Sequence, residues 1–246
     1  VQFSISACTA RLHSKDVSIV TFNDITLEME NNESESWTRL IRVLTHEIMN
    51  TVTPIASLSS ALSQNLDAYD TEDVRSALGT ISSSSEGLIS FVQSYRSLTH
   101  IAAPVRKAFY LRDLVNDSVT IAQANWPLTK VSYHELSEDI ILYADYGQIS
   151  QVMNNLIKNA VQAGASDIDI TASIDKRERT VINVANNGEP ISETGREQIF
   201  VPFYTTKGAS GTGVGLSLCR QIIRLNGGTI NLTSSTPEAT VFTIVL

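Results

Sequence analysis

Asn154-Asn155-Leu156-Ile157-Lys158-Asn159-Ala160 lies in a run whose apolar residues Ile149, Val152, Leu156 and Ala160 recur at three- and four-residue steps. That spacing predicts an amphipathic helix over 147–163 with one inward stripe. Asn155 and Asn159 then fall one turn apart on the adjoining face. Asparagine is a poor helix former, so two at i, i+4 need a reason. Their amide oxygens suit Mg²⁺, a hard ion that prefers oxygen donors and keeps waters. Solvated surface amides would show the same spacing.

Working outward, β-rich runs surround this helix: Val131-Ser132-Tyr133, Ile140-Ile141-Leu142-Tyr143, Ile168-Asp169-Ile170-Thr171-Ala172 and Val181-Ile182-Asn183-Val184. Two more, Thr229-Ile230-Asn231-Leu232 and Val241-Phe242-Thr243-Ile244-Val245, complete the set. Further helices fit 111–124 and 214–226, and Gly227-Gly228 stops the last. From Pro104 onward the chain therefore reads as an α+β sandwich, helices on one face of a mixed sheet. No internal repeat is visible.

Upstream the period changes. Ile41, Leu44, Ile48, Val52, Ile55, Leu58 and Leu62 form the stripe of a long helix, starting near Trp37. The pattern breaks from Asn65 to Asp70, where Thr71-Glu72-Asp73 offers a cap and an acidic first turn. A second stripe runs through Val74, Leu78, Ile81, Leu88, Val92 and Tyr95, with Ser82 to Ser85 read as solvent-facing turns. Two such helices cannot bury both stripes alone; a hairpin that dimerises into a four-helix bundle can. The first residues read as strands, Val1-Gln2-Phe3-Ser4-Ile5 and Val17 to Phe22, followed by the acidic stretch Leu27 to Ser36. Two strands do not stand alone, so this piece is expected to be the tail of a truncated domain. The expected units are 1–30, 31–102 and 103–246.

The chain has 246 residues, 42% hydrophobic and 18% charged, enough for a core and too apolar for disorder throughout. A net charge of −8 argues against a nucleic-acid partner. Cys8 and Cys219 form no metal-ligand spacing; both read as small core thiols in a reducing, cytoplasmic setting. No apolar run spans a bilayer, so no membrane contact is expected of this fragment. It opens on Val1, not Met, which leaves room for a membrane segment upstream.

Three more constellations bear on chemistry. His46-Glu47-Ile48-Met49-Asn50 places His46 and Asn50 four residues apart, on a face beside the stripe that reaches solvent. An imidazole there is a nucleophile at neutral pH, and Glu47 can hold one ring proton and leave the other nitrogen free. An ordinary surface histidine would look the same. Pro54 inside the helix costs about 3 kcal/mol unless a kink is wanted. No His-Glu-x-x-His spacing supports a zinc site. Asn186-Asn187-Gly188-Glu189-Pro190-Ile191 follows a strand and is also compatible with a plain Asn-Gly turn. Gly208-Ala209-Ser210-Gly211-Thr212-Gly213-Val214-Gly215-Leu216 runs into a helix whose N–H groups can meet phosphate oxygens. It is neither a Walker A loop nor a Rossmann fingerprint; a lid without ligand is the alternative.

Taken in order, His-Glu on a helical hairpin, paired asparagines, an Asn-Asn-Gly turn, Phe200-Val201-Pro202-Phe203 and a Gly-x-Gly-x-Gly-Leu loop resemble the sensor histidine kinases of two-component systems. The likeness covers nearly the whole chain and includes the H, N, G1, F and G2 boxes. The spacing His46-Glu47-Ile48-x-Asn50-x-x-x-Pro54-Ile55 is most similar to kinases of the nitrogen-regulation sensor type. Phe22-Asn23-Asp24-Ile25-Thr26 looks like the exit of a PAS domain.

The resemblance implies an ATP-binding sandwich of the histidine kinase, gyrase and MutL type, and a homodimer through the hairpin. It implies that His46 accepts the γ-phosphoryl of ATP and passes it to an aspartate of a response regulator receiver domain. Glu47 would be general base, and Asn50 would orient water when the regulator is dephosphorylated. Asn155 and Asn159 match the N box, Asn159 as the Mg²⁺ ligand. Asn186, Gly188 and Ile191 match the G1 region, Phe203 the F box, and Thr206 and Lys207 the phosphate-proximal lid. Gly211, Thr212, Gly213, Gly215 and Leu216 match the G2 loop, and Thr240 the hydroxyl near the missing G3 glycine. Such transfer is mostly positioning plus charge neutralisation.

Three departures stand out. The G1 aspartate that accepts from the adenine amino group is Asn186 here, and a glycine is Pro190. A neutral acceptor costs about 1 kcal/mol, near fivefold in affinity. Thr51 also replaces the proline usual five residues after the histidine, while Pro54 is kept. A phosphatase or signalling scaffold with a degenerate ATP site is therefore the alternative. A gyrase- or MutL-type ATPase is the third reading, opposed by the His46 hairpin.

Overall fold

The computed structural model describes residues 3–12, 15–24, 41, 45, 48–64, 70–206 and 213–246. Two compact units divide the chain, Val1–Leu88 and Ile89–Leu246.

In the first unit, β1 (Phe3–Leu12) and β2 (Lys15–Asp24) pair antiparallel in unbroken register from Phe3↔Asp24 to Leu12↔Lys15. Directly opposed residues share a face, so Ile5, Phe22, Ala7 and Val20 lie on one side and Cys8 and Ile19 on the other. Cys8 is exposed, which corrects the expectation of a core thiol: a two-stranded ribbon has no interior. Helix α1 covers residues 48–64. His46 and Glu47 lie outside the described residues, as does the acidic stretch.

Helix α2 (Thr71–Thr99) runs unbroken through the serines, where the Ser83 and Ser85 hydroxyls donate to the Thr80 and Ile81 carbonyls. Its cap is Asp70, one residue before the expected Thr71: Asp70 Oδ1 accepts from the Glu72 and Asp73 N–H groups at 2.9 and 2.8 Å. The apolar stripes are only partly covered: Ile48 of α1 and Leu78 of α2 are 40% and 54% exposed, while Ile55, Leu58, Leu62, Val74, Ile81 and Leu88 are half-buried.

The second unit contains β3 (Lys107–Tyr110), α3 (Leu111–Asn125), β4 (Lys130–Glu135), β5 (Ile141–Ala144) and α4 (Tyr146–Gln162). It continues through β6 (Asp167–Ile174), β7 (Thr180–Asn186), the short α5 (Glu193–Arg196), α6 (Gly215–Leu225), β8 (Thr229–Ser235) and β9 (Thr240–Val245). Five strands form one mixed sheet in the order β4-β6-β7-β9-β8, with β4 parallel to β6 and the remaining pairs antiparallel. β5 leaves this sheet and pairs with β3, a strand the periodicity did not show.

Alternation explains the layering. Ile168 and Ile170 of β6, Ile182 and Val184 of β7, and Phe242 and Ile244 of β9 point inward, while Asp169, Thr171, Asn183 and Thr243 are half-buried on the other face. Against the inward set lie Ile149, Val152, Met153, Leu156 and Ile157 of α4, Leu218, Cys219, Ile222 and Ile223 of α6, and Leu111, Leu114 and Val115 of α3. Each fully buried Ile, Leu or Met contributes about 1.5–3 kcal/mol, so the core holds α4 rigidly against the sheet. Leu98, near the end of α2, joins the same core.

Asp145 fixes the start of α4. One carboxylate oxygen caps the helix by accepting from Gln148 N at 3.0 Å, and the other accepts from Val105 N at 2.8 Å. Asn226, at the end of α6, accepts from Asp145 N and donates to Gln148 Oε1. Gly227 ends α6 in the left-handed conformation at φ +91°.

Candidate functional site

Between α4, the β7 turn and the start of α6 lies a cavity of about 450 Å³. That volume suits a ligand of nucleotide size. Asn155 and Asn159 line one side; they lie on α4 beside the buried stripe, as the spacing predicts. Gly215 opens α6 facing them: a Cβ there would meet the Asn159 and Asn155 amides at 3.8–4.0 Å. The Asn159 Nδ2 is buried with no hydrogen-bond partner. A buried donor left unmatched costs free energy, and this one belongs to a residue that lines the cavity.

Asn186 and Thr240 form the far end. They are directly opposed in the β7–β9 register and only 6% and 3% exposed. The Thr240 and Ser235 hydroxyls are 2.8 Å apart, and Ser235 also accepts from Ile191 N. The turn after β7 is clamped on α4, with Glu189 N donating to the Ala163 carbonyl at 2.7 Å. Gly188 makes that approach possible, since a Cβ would stand 2.7 Å from the same carbonyl oxygen. Asn187 points away from the cavity side and holds Ser166 and Asp167.

The remaining wall carries Gly213, Leu216 and Thr206. Phe203 supports it: its N–H donates to the Gly213 carbonyl, and its ring packs on the core and lies 5.3 Å from the Phe91 ring. Cys219, fully buried on the core side of α6, has its thiol pushed up to about 12 by burial, which keeps it an inert core residue.

Structure thus brings together Asn155, Asn159, Asn186, Ile191, Thr206, Gly213, Gly215, Leu216 and Thr240 around one cavity, with Gly188 and Phe203 supporting its walls. Lys207, Gly211 and Thr212 lie outside the described residues, as do His46 and Glu47. Asn50 is helical and exposed on α1. Lys158, which the motif reading passed over, is the sole cation among the described lining residues. Its place between the two asparagines' turns was the available signal.

An ion of the Mg²⁺ type fits this donor set. Two amide oxygens on one helix face suit a hard cation that keeps several waters and shares its remaining positions with phosphate. Among the described residues no cluster of three or more His, Cys, Asp or Glu competes as a metal centre, and no helix is long and apolar enough to cross a membrane.

A helix-covered mixed sheet with a polar cavity between α4 and α6 defines a nucleotide-binding sandwich. Residues 144–246 match the family described as Histidine kinase-, DNA gyrase B-, and HSP90-like ATPase. The catalytic domain of histidine kinase ThkA is 33% identical, with a TM-score of 0.52 over 57% of this chain and 94% of that one. The structure of histidine kinase ThkA in complex with response regulator protein TrrA matches 99% of this chain and 74% of that one, at 25% identity and a TM-score of 0.62. Sporulation kinase D of Bacillus subtilis (strain 168) is 28% identical over 228 residues, 89% of this chain and 44% of that protein. The chain therefore spans less than half the length of that curated relative. It belongs to the histidine kinases, through this catalytic domain.

Proposed function

We propose that the chain is the kinase portion of a sensor that phosphorylates itself on His46 from Mg²⁺-ATP and passes the phosphoryl group to an aspartate of a response regulator. The observation that carries this reading is the cavity itself, where residues of the N box, the G1 region and the G2 loop meet with an unmatched buried amide at Asn159. A relative crystallised with a response regulator supports the partner.

Each residue has a role in that reaction. Asn186 and Thr240 hold the adenine, and Asn155 and Asn159 direct amide oxygens to the ion while the Asn159 N–H faces a phosphate oxygen. Bound there, the ion neutralises charge on the triphosphate. One ring nitrogen of His46 bonds to the γ-phosphorus as the bond to the bridging oxygen breaks, and ADP leaves with that electron pair. Glu47 takes the proton from the other ring nitrogen. Asn50 holds water for the reverse duty, hydrolysis of the regulator's acyl phosphate. The exposed apolar residues of α1 and α2 suit a second copy of the hairpin, since burying Ile48, Val52, Leu78 and Val92 across a dimer gains what the single chain leaves in water. A PAS-like origin for β1 and β2, and the nitrogen-regulation type of the His46 helix, belong to the same proposal.

The test is incubation with γ-labelled ATP. Acid-labile, base-stable label on the wild type, absent from His46→Gln at unchanged ATP affinity, is the expected result. ATP binding without label in the wild type selects the phosphatase or scaffold reading instead. Label persisting in His46→Gln moves the acceptor elsewhere.

A further inference from the structure

Asn186 and Asn187 are identical side chains in adjacent positions, and the fold treats them oppositely. The Asn187 amide has a fixed orientation: its Oδ1 accepts from Ser166 N and Asp167 N, each at 3.0 Å, and its Nδ2 donates to Ser166 Oγ at 3.0 Å. Exchanging its oxygen and nitrogen would set two backbone N–H groups against an NH₂ and break both of those bonds. Asn186 lines the cavity, and its amide makes no hydrogen bond to any described residue. Gly188 leaves space beside it, the Asn186 Nδ2 standing 3.0 Å from where a Cβ would be. The terminal torsion of an asparagine is broad and two-fold, so with no protein partner the bound ligand decides which atom faces it.

The neighbouring polar group is equally uncommitted. The Thr240 and Ser235 hydroxyls share one hydrogen bond in which either can donate. Both polar groups at this end of the cavity can therefore present a donor or an acceptor. A carboxylate in place of Asn186 could only accept.

Purines divide on this chemistry. A 6-aminopurine shows a donor at position 6 and an acceptor at N1; a 6-oxopurine shows an acceptor at position 6 and a donor at N1–H. An amide facing position 6 accepts from the amino group with its oxygen and, after a half-turn, donates to the oxo group with its N–H; a carboxylate in that place meets only the amino group. We propose that the cavity takes 6-oxopurine nucleoside triphosphates as well as 6-aminopurine ones, with Asn186 the residue that sets this breadth. The proposal rests on the nucleotide reading of the cavity.

Calorimetry on the full 246-residue chain tests it, with ATP and inosine triphosphate in the presence of Mg²⁺. Inosine changes position 6 and N1 without adding the 2-amino group of guanine. The wild type is expected to bind the two within about fivefold, because one hydrogen bond to position 6 forms with each. Asn186→Asp is expected to keep ATP within about fivefold and to lose inosine triphosphate by tenfold or more, because a carboxylate facing the 6-oxo group leaves both without a partner. ATP bound with inosine triphosphate more than about fivefold weaker in the wild type overturns the proposal and leaves the nucleotide reading standing. Equal affinities for the two nucleotides in Asn186→Asp overturn the assignment to Asn186. Binding of neither nucleotide by the wild type overturns the nucleotide reading, and the proposal with it. The wild-type ratio decides the breadth even if the variant fails to fold.

Discussion

Phe203 and Gly213 are joined backbone to backbone: the Phe203 N–H donates to the Gly213 carbonyl at 2.8 Å, and both residues are left-handed, at φ +64° and +62°. A Cβ on Gly213 would stand 2.4 Å from the Phe203 carbonyl carbon, a distance at which the backbone must move. One wall of the cavity therefore depends on a position that only glycine fills without strain.

Gly213→Ala should separate that wall from Phe203. The left-handed backbone alone costs a non-glycine residue about 1–2 kcal/mol, and the clash adds to it. Nucleotide affinity should fall by roughly tenfold or more, and the Phe203 amide should lose protection in hydrogen exchange. Gly215→Ala is the comparison, because its Cβ meets the asparagine amides only at ordinary contact distance. Equal effects of the two substitutions would show that the Phe203 contact does not shape the site.

Asn159→Ala should weaken Mg²⁺-ATP binding far more than binding of metal-free nucleotide. It removes the proposed metal ligand and also the unmatched buried N–H, while the adenine end at Asn186 and Thr240 is untouched. Losing a charge-assisted contact costs about 1.5–3 kcal/mol, so a drop of ten- to hundredfold is expected with the metal. Calorimetry with Mg²⁺ and with a chelator measures both. The same loss in each condition would remove Asn159 from the metal site.

What could be read directly from the sequence was local. The α4 stripe from Ile149 to Ala160 is periodic within a few turns, and its inward residues are the buried ones. β3 carried no such signal: four residues with a single half-buried position give no alternation to detect. Its pairing with β5 joins Lys107 to Ala144, a choice made by tertiary packing and not by propensity. At the start of α2, Asp70 and Thr71 are both good caps, and only the backbone geometry selects between them. The two asparagines after β7 are likewise indistinguishable in one dimension; the turn decides that Asn187 supports Ser166 and Asn186 lines the cavity. Lys158 looks like any exposed helix lysine until α4 is set against the cavity.

Asp145 should make the second unit acid-sensitive. The N–H groups of Gln148 and then Val105 stabilise its carboxylate and hold it below the usual carboxylate range. A group depressed in the folded state contributes stability above its unfolded value and loses it as pH falls through its folded one. Denaturant titrations from pH 7 downward should therefore show a loss of stability that begins in the usual carboxylate range and continues below it. Asp145→Ala should cost about 1 kcal/mol at pH 7, the value of a helix cap, and flatten that acid limb. An unchanged limb in the variant would assign the pH dependence to other carboxylates.

Lys158 should be felt by phosphates and not by the base. Among the described residues lining the cavity it is the one cation against one anion, Glu189, and it forms no ion pair with a described residue. A triphosphate brings several negative charges into that space, and an exposed ammonium contributes modestly to holding them. Solvent screening limits the contribution to about 1 kcal/mol, so Lys158→Met should weaken ATP by about fivefold. The loss should shrink from ATP to AMP, vanish for adenosine, and diminish as salt is raised. Lys158→Arg should restore most of the affinity, since position and charge are kept. Equal losses for ATP and adenosine would show that Lys158 supports the shape of α4 and does not meet phosphate.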